Sequence, residues 1–495
     1  MTEPKVAQHG VSCLGNMAFN YQEGVDRMVK AGSIKTLELV LQKWPENKTV
    51  SEVTLVTMSN IMYRNDPVKG ILGSTCGDEV VAVVKILAKE TRVCIAAMRA
   101  MGNLASLESN VNWMLEHNAA ANIVYAMELP ENSDQQELVQ TAIDVLGNLA
   151  SVGPDGDDDD DDEEKEEQIQ SEMRAVHSKI INQGGGRAII EAMSGPCASD
   201  PSVLMSALET LSALCGVEDL CLEVLVPLGL LDVLMDVMKQ FDWDDGIMEK
   251  ATGLVVVLTY FEECVDSLAD LGVMDALIGA MDTHDENHEV VLNCQVTFTN
   301  MAINFEEQEY LVKNGGLDAM LRLLVATGNG SGGGQATAEQ TELHTEVVTT
   351  LTRLACTDDF STDVAERGMS EILGSYASHQ AYPEFITSLF TLVSQLAFYK
   401  ENLRAIIQYG GIKHAIDAVS QFPEESQLVV QAIQLVDNCA TASSESANIV
   451  STMGGKELFD TVVETYQGHE GFEVSIFLRL DFTYILCGTL CEHLF

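Results

Sequence analysis

Aromatic residues are scarce in this sequence, at 6%, and proline is scarcer, with ten residues in a chain of 495. That shortage stands beside 46% hydrophobic content in which Leu, Val, Ala and Met abound, so little strand is expected and helices packed through aliphatic side chains are favoured. Positive charge is short as well: 27 basic against 76 acidic side chains give a formal net charge of -49. A polyanion would be repelled at long range, which argues against nucleic acid as a partner.

The twelve cysteines contain no CxxC pair and no dense framework. Cys13, Cys215, Cys294 and Cys439 fall inside apolar helical patterns where a thiol packs as a small hydrophobe, which suits a reducing compartment. The amino terminus MTEPKVAQHG lacks an apolar signal region, Thr2 stands where myristoylation needs glycine, and no run of 18 apolar residues is free of charge. The expectation is a cytoplasmic protein, with the nucleus also open to it, and no direct membrane contact.

Catalytic, metal and cofactor chemistry find no constellation, so no enzyme and no cofactor are expected. His284 and His288 form an i, i+4 pair in THDENHEV without HExxH order, and read as solvated loop or helix-start residues. Cys487 and Cys491 lie one turn apart with His493 nearby, too poor a set for zinc, and read as ordinary apolar residues. The run GSGGG at 330–334 lacks the lysine and hydroxyl of a phosphate loop and reads as a linker. The acidic stretch DGDDDDDD lacks the glycine and terminal glutamate spacing of a calcium loop. Met17, Met101, Met301 and Met320 sit at helical core positions, where methionine fills irregular gaps.

What the chain does contain is a repeat. LGNMA (from Leu14), MSNIM (Met58), MGNLA (Met101), LGNLA (Leu146), LSALC (Leu211), FTNMA (Phe298), LTRLA (Leu351), VSQLA (Val393) and VDNCA (Val436) share one pattern of apolar, small or polar, polar, apolar and small residues. Their third positions, with a missing member placed near Val256, recur about every 43 residues except at two longer intervals. One of these contains an acidic run, the other the stretch TGNGSGGGQATAEQ. Sixteen residues beyond each marker but Asn148 stand Gly32, Cys76, Ala119, Gly229, Gly272, Gly316, Met369, Gly411 and Gly454, and after Asn148 the glycine is Gly184, beyond the insertion; glycine there ends one helix and opens the next through positive φ or close backbone approach. Val139, Ala142, Ile143, Leu146, Leu149 and Ala150 follow helical spacing, so each unit carries a long amphipathic helix after two shorter ones.

A unit of this length, with a glycine-marked turn and a third helix ending in L-G/S-N-L-A, resembles the armadillo repeat over roughly residues 5 to 467. The resemblance implies an all-α fold, a right-handed superhelix of about ten three-helix repeats stabilised through neighbours, with the third helices lining a concave groove. It also implies that Asn16, Asn60, Asn103, Asn148, Asn300 and Asn438 sit on that groove, where an amide pairs with an extended main chain. Gln395 joins this set, and Asp144, Glu209 and Asp437 are the acids beside it. Importin alpha places a tryptophan one turn before such an asparagine; here Ser12, Val56, Arg99, Asp144, Val296 and Gln434 stand there, so a nuclear-localisation receptor of that type is not expected.

The organisation that follows is four repeats over 1–151, the first incomplete, then an acidic inserted loop at 152–171 and repeats five to seven over 172–326. A glycine-rich loop at 327–340, repeats eight to ten over 341–467 and a divergent segment at 468–495 complete it. Within the insertion, Asp155 to Glu167 holds eleven acids and one lysine; it either attracts a basic segment of a partner or serves as a solvated spacer. The expected function is a non-enzymatic scaffold or adaptor holding a basic, extended or helical segment of a protein partner in an acidic concave groove. Two other readings stay open: a small-GTPase regulator resembling the acidic armadillo dissociation stimulators, and a cytoskeletal or ciliary structural component.

Overall fold

The computed structural model describes residues 3–19, 21–151, 163–303, 305–328 and 335–465. No strand occurs among these residues. The chain divides into two compact units, Met1–Leu271 and Gly272–Phe495.

The marker motifs close the long helices. In the first unit these are α1 (Pro4–Ala18), α2 (Lys48–Met62), α3 (Thr91–Ala105), α4 (Gln136–Ala150), α5 (Pro201–Cys215) and α6 (Asp245–Leu258). The second unit has α7 (His288–Met301), α8 (Ala338–Ala355), α9 (Pro383–Leu396) and α10 (Ser426–Thr441). Their starts are set locally. Asn47, Asp200, Asp244 and Asn287 accept hydrogen bonds from first-turn amides of α2, α5, α6 and α7, and Thr337 with Gln340 forms a full capping box on α8. Pro4, Pro201 and Pro383 occupy first-turn positions whose N–H would have no helical partner.

Within the first unit each long helix packs on the next, from α1 through α6; within the second, α7 packs on α8, α8 on α9 and α9 on α10. The apolar stripe of α4 goes into this contact and onto the short helices behind it: Leu138, Ala142, Ile143, Leu146 and Leu149 are fully buried. Burying a leucine or isoleucine side chain contributes about 2 kcal/mol, so stacking rather than intrinsic propensity stabilises the array.

Two marker glycines set how near the helices come. A Cβ on Gly15 of α1 would lie 2.7 Å from Oγ1 of Thr57 on α2, and one on Gly147 of α4 would lie 2.7 Å from Oγ1 of Thr210 on α5. Those hydroxyls lie 3.3 Å from the carbonyl of Val11 and 3.4 Å from that of Ile143. Behind three of the long helices, α3, α7 and α9, a buried amide satisfies a carbonyl near the helix end. Asn110 donates to Leu104, Gln308 to Ala302 and Asn402 to Leu396, at 3.0, 3.0 and 3.1 Å.

The structure corrects several expectations. Positive φ occurs at Gly32, Gly184, Gly229, Gly272 and Gly454, but in two repeats it falls one residue earlier than counted, at Gly315 and Gly410, and in another on Asn118 instead of Ala119. In the repeat of Cys76 the two short helices, Asp66–Ile86 together, meet at a kink on Cys76 itself, where the backbone leaves the helical region as expected, whereas in another repeat one helix spans Asp358–Gly374 straight through Met369. The glycines beside those positions permit close approach instead: a Cβ on Gly77 would strike the ring of Trp113, and one on Gly368 the side chain of Leu321.

The insertion expected as a loop to residue 171 is helical from Glu163 onward, in Glu163–Asn182, because the Gln168–Asn182 end carries Val176, Ile180 and Ile181 at helical spacing into the core. Residues 152–162 lie outside the described residues. The 327–340 loop is shorter than expected at both ends, since a helix reaches Gly328 and α8 begins at Ala338; 329–334 lie outside the described residues, as does 468–495 with Cys487, Cys491 and His493. Met17 is 54% exposed and Cys13 is exposed, against the expected core placements, while Met101, Met301, Met320, Cys215, Cys294 and Cys439 are buried. His284 is buried at the end of Val273–Thr283 rather than solvated.

Candidate functional site

In the first unit the ends of α1 to α4 enclose a groove of about 600 Å³. Asn60, Asn103 and Asn148 each stand two residues before the last residue of α2, α3 and α4, so successive helices in register deliver three amides to one groove. Asn60 and Asn103 are half-buried and Asn148 is exposed. A Cβ on Gly102 of α3 would fall 3.4 Å from Nδ2 of Asn148, an ordinary van der Waals contact. An amide offers a donor and an acceptor together, the complement of a peptide backbone.

The charge along this face is not uniform. Arg99 of α3 pairs with Glu137 of α4 at 2.9 Å, and Arg92 pairs with Glu52 of α2 at 3.2 Å. These pairs are largely exposed, worth under about 1 kcal/mol each, and they balance the middle of the groove. Beyond them the balance ends. Asp144 of α4 also lines the groove, and among the described residues no cation pairs with it or with Glu209 of α5. Part of Asp144 remains in solvent, yet its carboxyl pKa is raised: packing among neighbours desolvates it, a hydrogen bond from Ser206 partly offsets this, and the charge of Glu209 adds to the rise.

Aromatic rings occupy the other end. Phe19 and Tyr63 line the same groove just past the ends of α1 and α2, and they are 63% and 57% exposed. Sequence reasoning missed them, although the signal was present: each stands three residues after a marker asparagine, as Ile303 stands after Asn300 and Phe398 after Gln395. Ile303 and Phe398, in the second unit, are 64% and 63% exposed.

The remaining expected residues fall elsewhere. Asn16 is exposed on α1 and is not among the groove residues. Asn300, Gln395 and Asn438 belong to the second unit, where each is half-buried. Asn438 is a packing residue there: its Nδ2 donates to the carbonyl of Ser394 on α9 at 3.0 Å, and its Oδ1 accepts from Gln434 at 2.9 Å. Asp437 is only 3% exposed and supplies no surface field, contrary to expectation, because it points from α10 into the core and not along the exposed side of Asn438. At the equivalent place on α8, Arg353 donates to the carbonyl of Thr299 on α7.

One histidine pair also escaped the sequence reading. His344 of α8 and His379 approach to 3.2 Å between ring nitrogens, and Phe385 stacks on His379 at 4.0 Å. Both are buried, and desolvation, with the neighbouring ring adding to it, pushes His344 down to about 4. They form part of the core, not a site open to substrate. Among the described residues no His, Cys, Asp and Glu group could hold a metal ion, and no helix is long and apolar enough to cross a membrane.

Long helices stacked in register, with short helices behind them and a marker amide near the end of most of them, define an armadillo-repeat protein. The chain belongs to the GAC ARM domain family, whose profile matches residues 3–332. Comparison with curated proteins finds no match. Among solved structures, the crystal structure of an engineered protein superposes with a TM-score of 0.70 at 17% identity, covering 88% of this chain and 96% of that chain. At that identity the likeness is one of fold alone, an all-α solenoid. A second engineered protein aligns over 56% of this chain and 97% of that chain at 15% identity, with a TM-score of 0.43, and no argument rests on it.

Proposed function

We propose that the chain is a non-catalytic cytoplasmic adaptor that holds a basic, extended or helical segment of a partner protein against the ends of α1 to α4. The observation that carries this reading is the convergence of Asn60, Asn103 and Asn148 with the unpaired carboxylate of Asp144 on one groove. Amides that complement a main chain supply affinity, and an uncompensated carboxylate in a chain of net charge -49 selects for positive charge.

The test is capture of partners from lysate on the immobilised full chain, with and without the double substitution Asn103→Ala and Asn148→Ala, across a salt titration. The reading expects a partner that is lost on substitution and weakens as salt rises. A partner retained by the doubly substituted chain with no salt dependence overturns it.

A further inference from the structure

The groove of the first unit is not the same from end to end, and its asymmetry specifies a ligand more narrowly than charge alone. At the α1 and α2 end, Phe19 and Tyr63 leave more than half of their surface in water beside the asparagines. Exposed rings of this size are a cost to solvation unless something covers them. In the middle, Arg99 already neutralises Glu137. At the α4 and α5 end, Asp144 lines the groove and feels the charge of Glu209 on the next helix, and among the described residues no cation pairs with either.

Resting on the groove reading above, we infer that the ligand is an extended peptide with one apolar side chain seated on Phe19 and Tyr63 and one cationic side chain set between Asp144 and Glu209, about eight residues apart. The distance follows from the stack. Three helix-to-helix steps separate the two ends, each about 8 to 10 Å, and an extended chain advances about 3.3 Å per residue. Between the anchors the asparagine amides meet the peptide backbone, so the intervening side chains are free to vary. Tyr63 already shows that its face accepts a cation, since the guanidinium of Arg64 sits 5.3 Å from its ring centre. An apolar anchor is nonetheless the better complement there, because Arg64 supplies the positive charge and a second cation would be repelled.

The experiment is a randomised twelve-residue peptide library selected on the immobilised full chain and read by sequencing. The result expected is joint enrichment of a Leu, Met or aromatic residue with an Arg or Lys about eight positions away. The variant F19A/Y63A should lose the apolar preference and keep the cationic one, with affinity for the best peptide down about fivefold. The variant D144N/E209Q should lose the cationic preference and keep the apolar one, again about fivefold, and should flatten the salt dependence. Enriched peptides that need Asn103 and Asn148 but show no apolar and cationic pairing overturn this inference and leave the groove reading standing. A library that yields no peptide dependent on those asparagines overturns both. Circular dichroism melts of each variant confirm that an altered preference reports the surface and not unfolding.

Discussion

Gly147 of α4 and Thr210 of α5 stand so close that a single added methyl on the glycine would come within 2.7 Å of the threonine hydroxyl. Thr210 has little room to yield, since its Oγ1 donates to the carbonyl of Ser206 at 2.8 Å. The contact explains why a small residue precedes the marker asparagine, and it gives a direct test.

Gly147→Ala gains about 1 kcal/mol of helix propensity and loses about 1 to 3 kcal/mol to overpacking, for a net destabilisation of about 1 kcal/mol in chemical unfolding. In a Thr210→Ala background the same change should stabilise. Equal effects in both backgrounds would show that the contact imposes no constraint.

The marker asparagines divide by what they touch. Asn103→Ala with Asn148→Ala should leave the melting temperature of the chain within a degree or two, because among the described residues neither side-chain amide bonds across the stack. Asn438→Ala should destabilise by about 1 kcal/mol, since it removes the bond to the Ser394 carbonyl. A large loss in the first variant would mean that the groove amides serve packing.

Asn132 is fully buried in the segment leading into α4, donating to the carbonyls of Ala88 and Ala126 at 2.7 Å each and accepting from Thr91 at 2.7 Å. Asn132→Ala leaves buried carbonyls unsatisfied and should cost about 2 to 3 kcal/mol, measured by urea unfolding. A change under half a kilocalorie per mole would refute the assignment.

The buried pair His344 and His379 predicts acid sensitivity. Their folded pKa values are depressed, so the unfolded state binds protons first as pH falls below about 6.5, and stability is lost from there toward the folded value of about 4 for His344. Each such histidine contributes a slope approaching about 1.4 kcal/mol per pH unit inside that window. His344→Gln should flatten the dependence between pH 6.5 and 5 in denaturant titrations; identical slopes for both proteins would exclude the pair as its source.

Much of this architecture was legible from the marker motif because its five residues record a three-dimensional demand. Leu146 and Leu149 face the core, Gly147 admits the neighbouring helix, and Asn148 emerges at the surface. Counting from the motif placed the turns to within one residue except at Met369, where the helix runs straight on; at Cys76 the chain kinks, and a missing glycine in sequence does not tell these two outcomes apart. Asp437 misled for a related reason. It sits beside Asn438 in sequence, but one residue along a helix is a rotation of about 100°, enough to turn a side chain from surface to interior. The pairing of His344 with His379, 35 residues apart, depends on tertiary packing and leaves no periodic trace.

The close glycine contacts also bear on compliance. They lie at the α1/α2 and α4/α5 steps, while the α3/α4 step, at Gly102, has ordinary van der Waals spacing. The groove is therefore drawn tightest at its two ends, where not even a methyl can be added, and has room for one at the Gly102 step, so side-chain growth there is the change that would reshape its floor without prising the flanking helices apart.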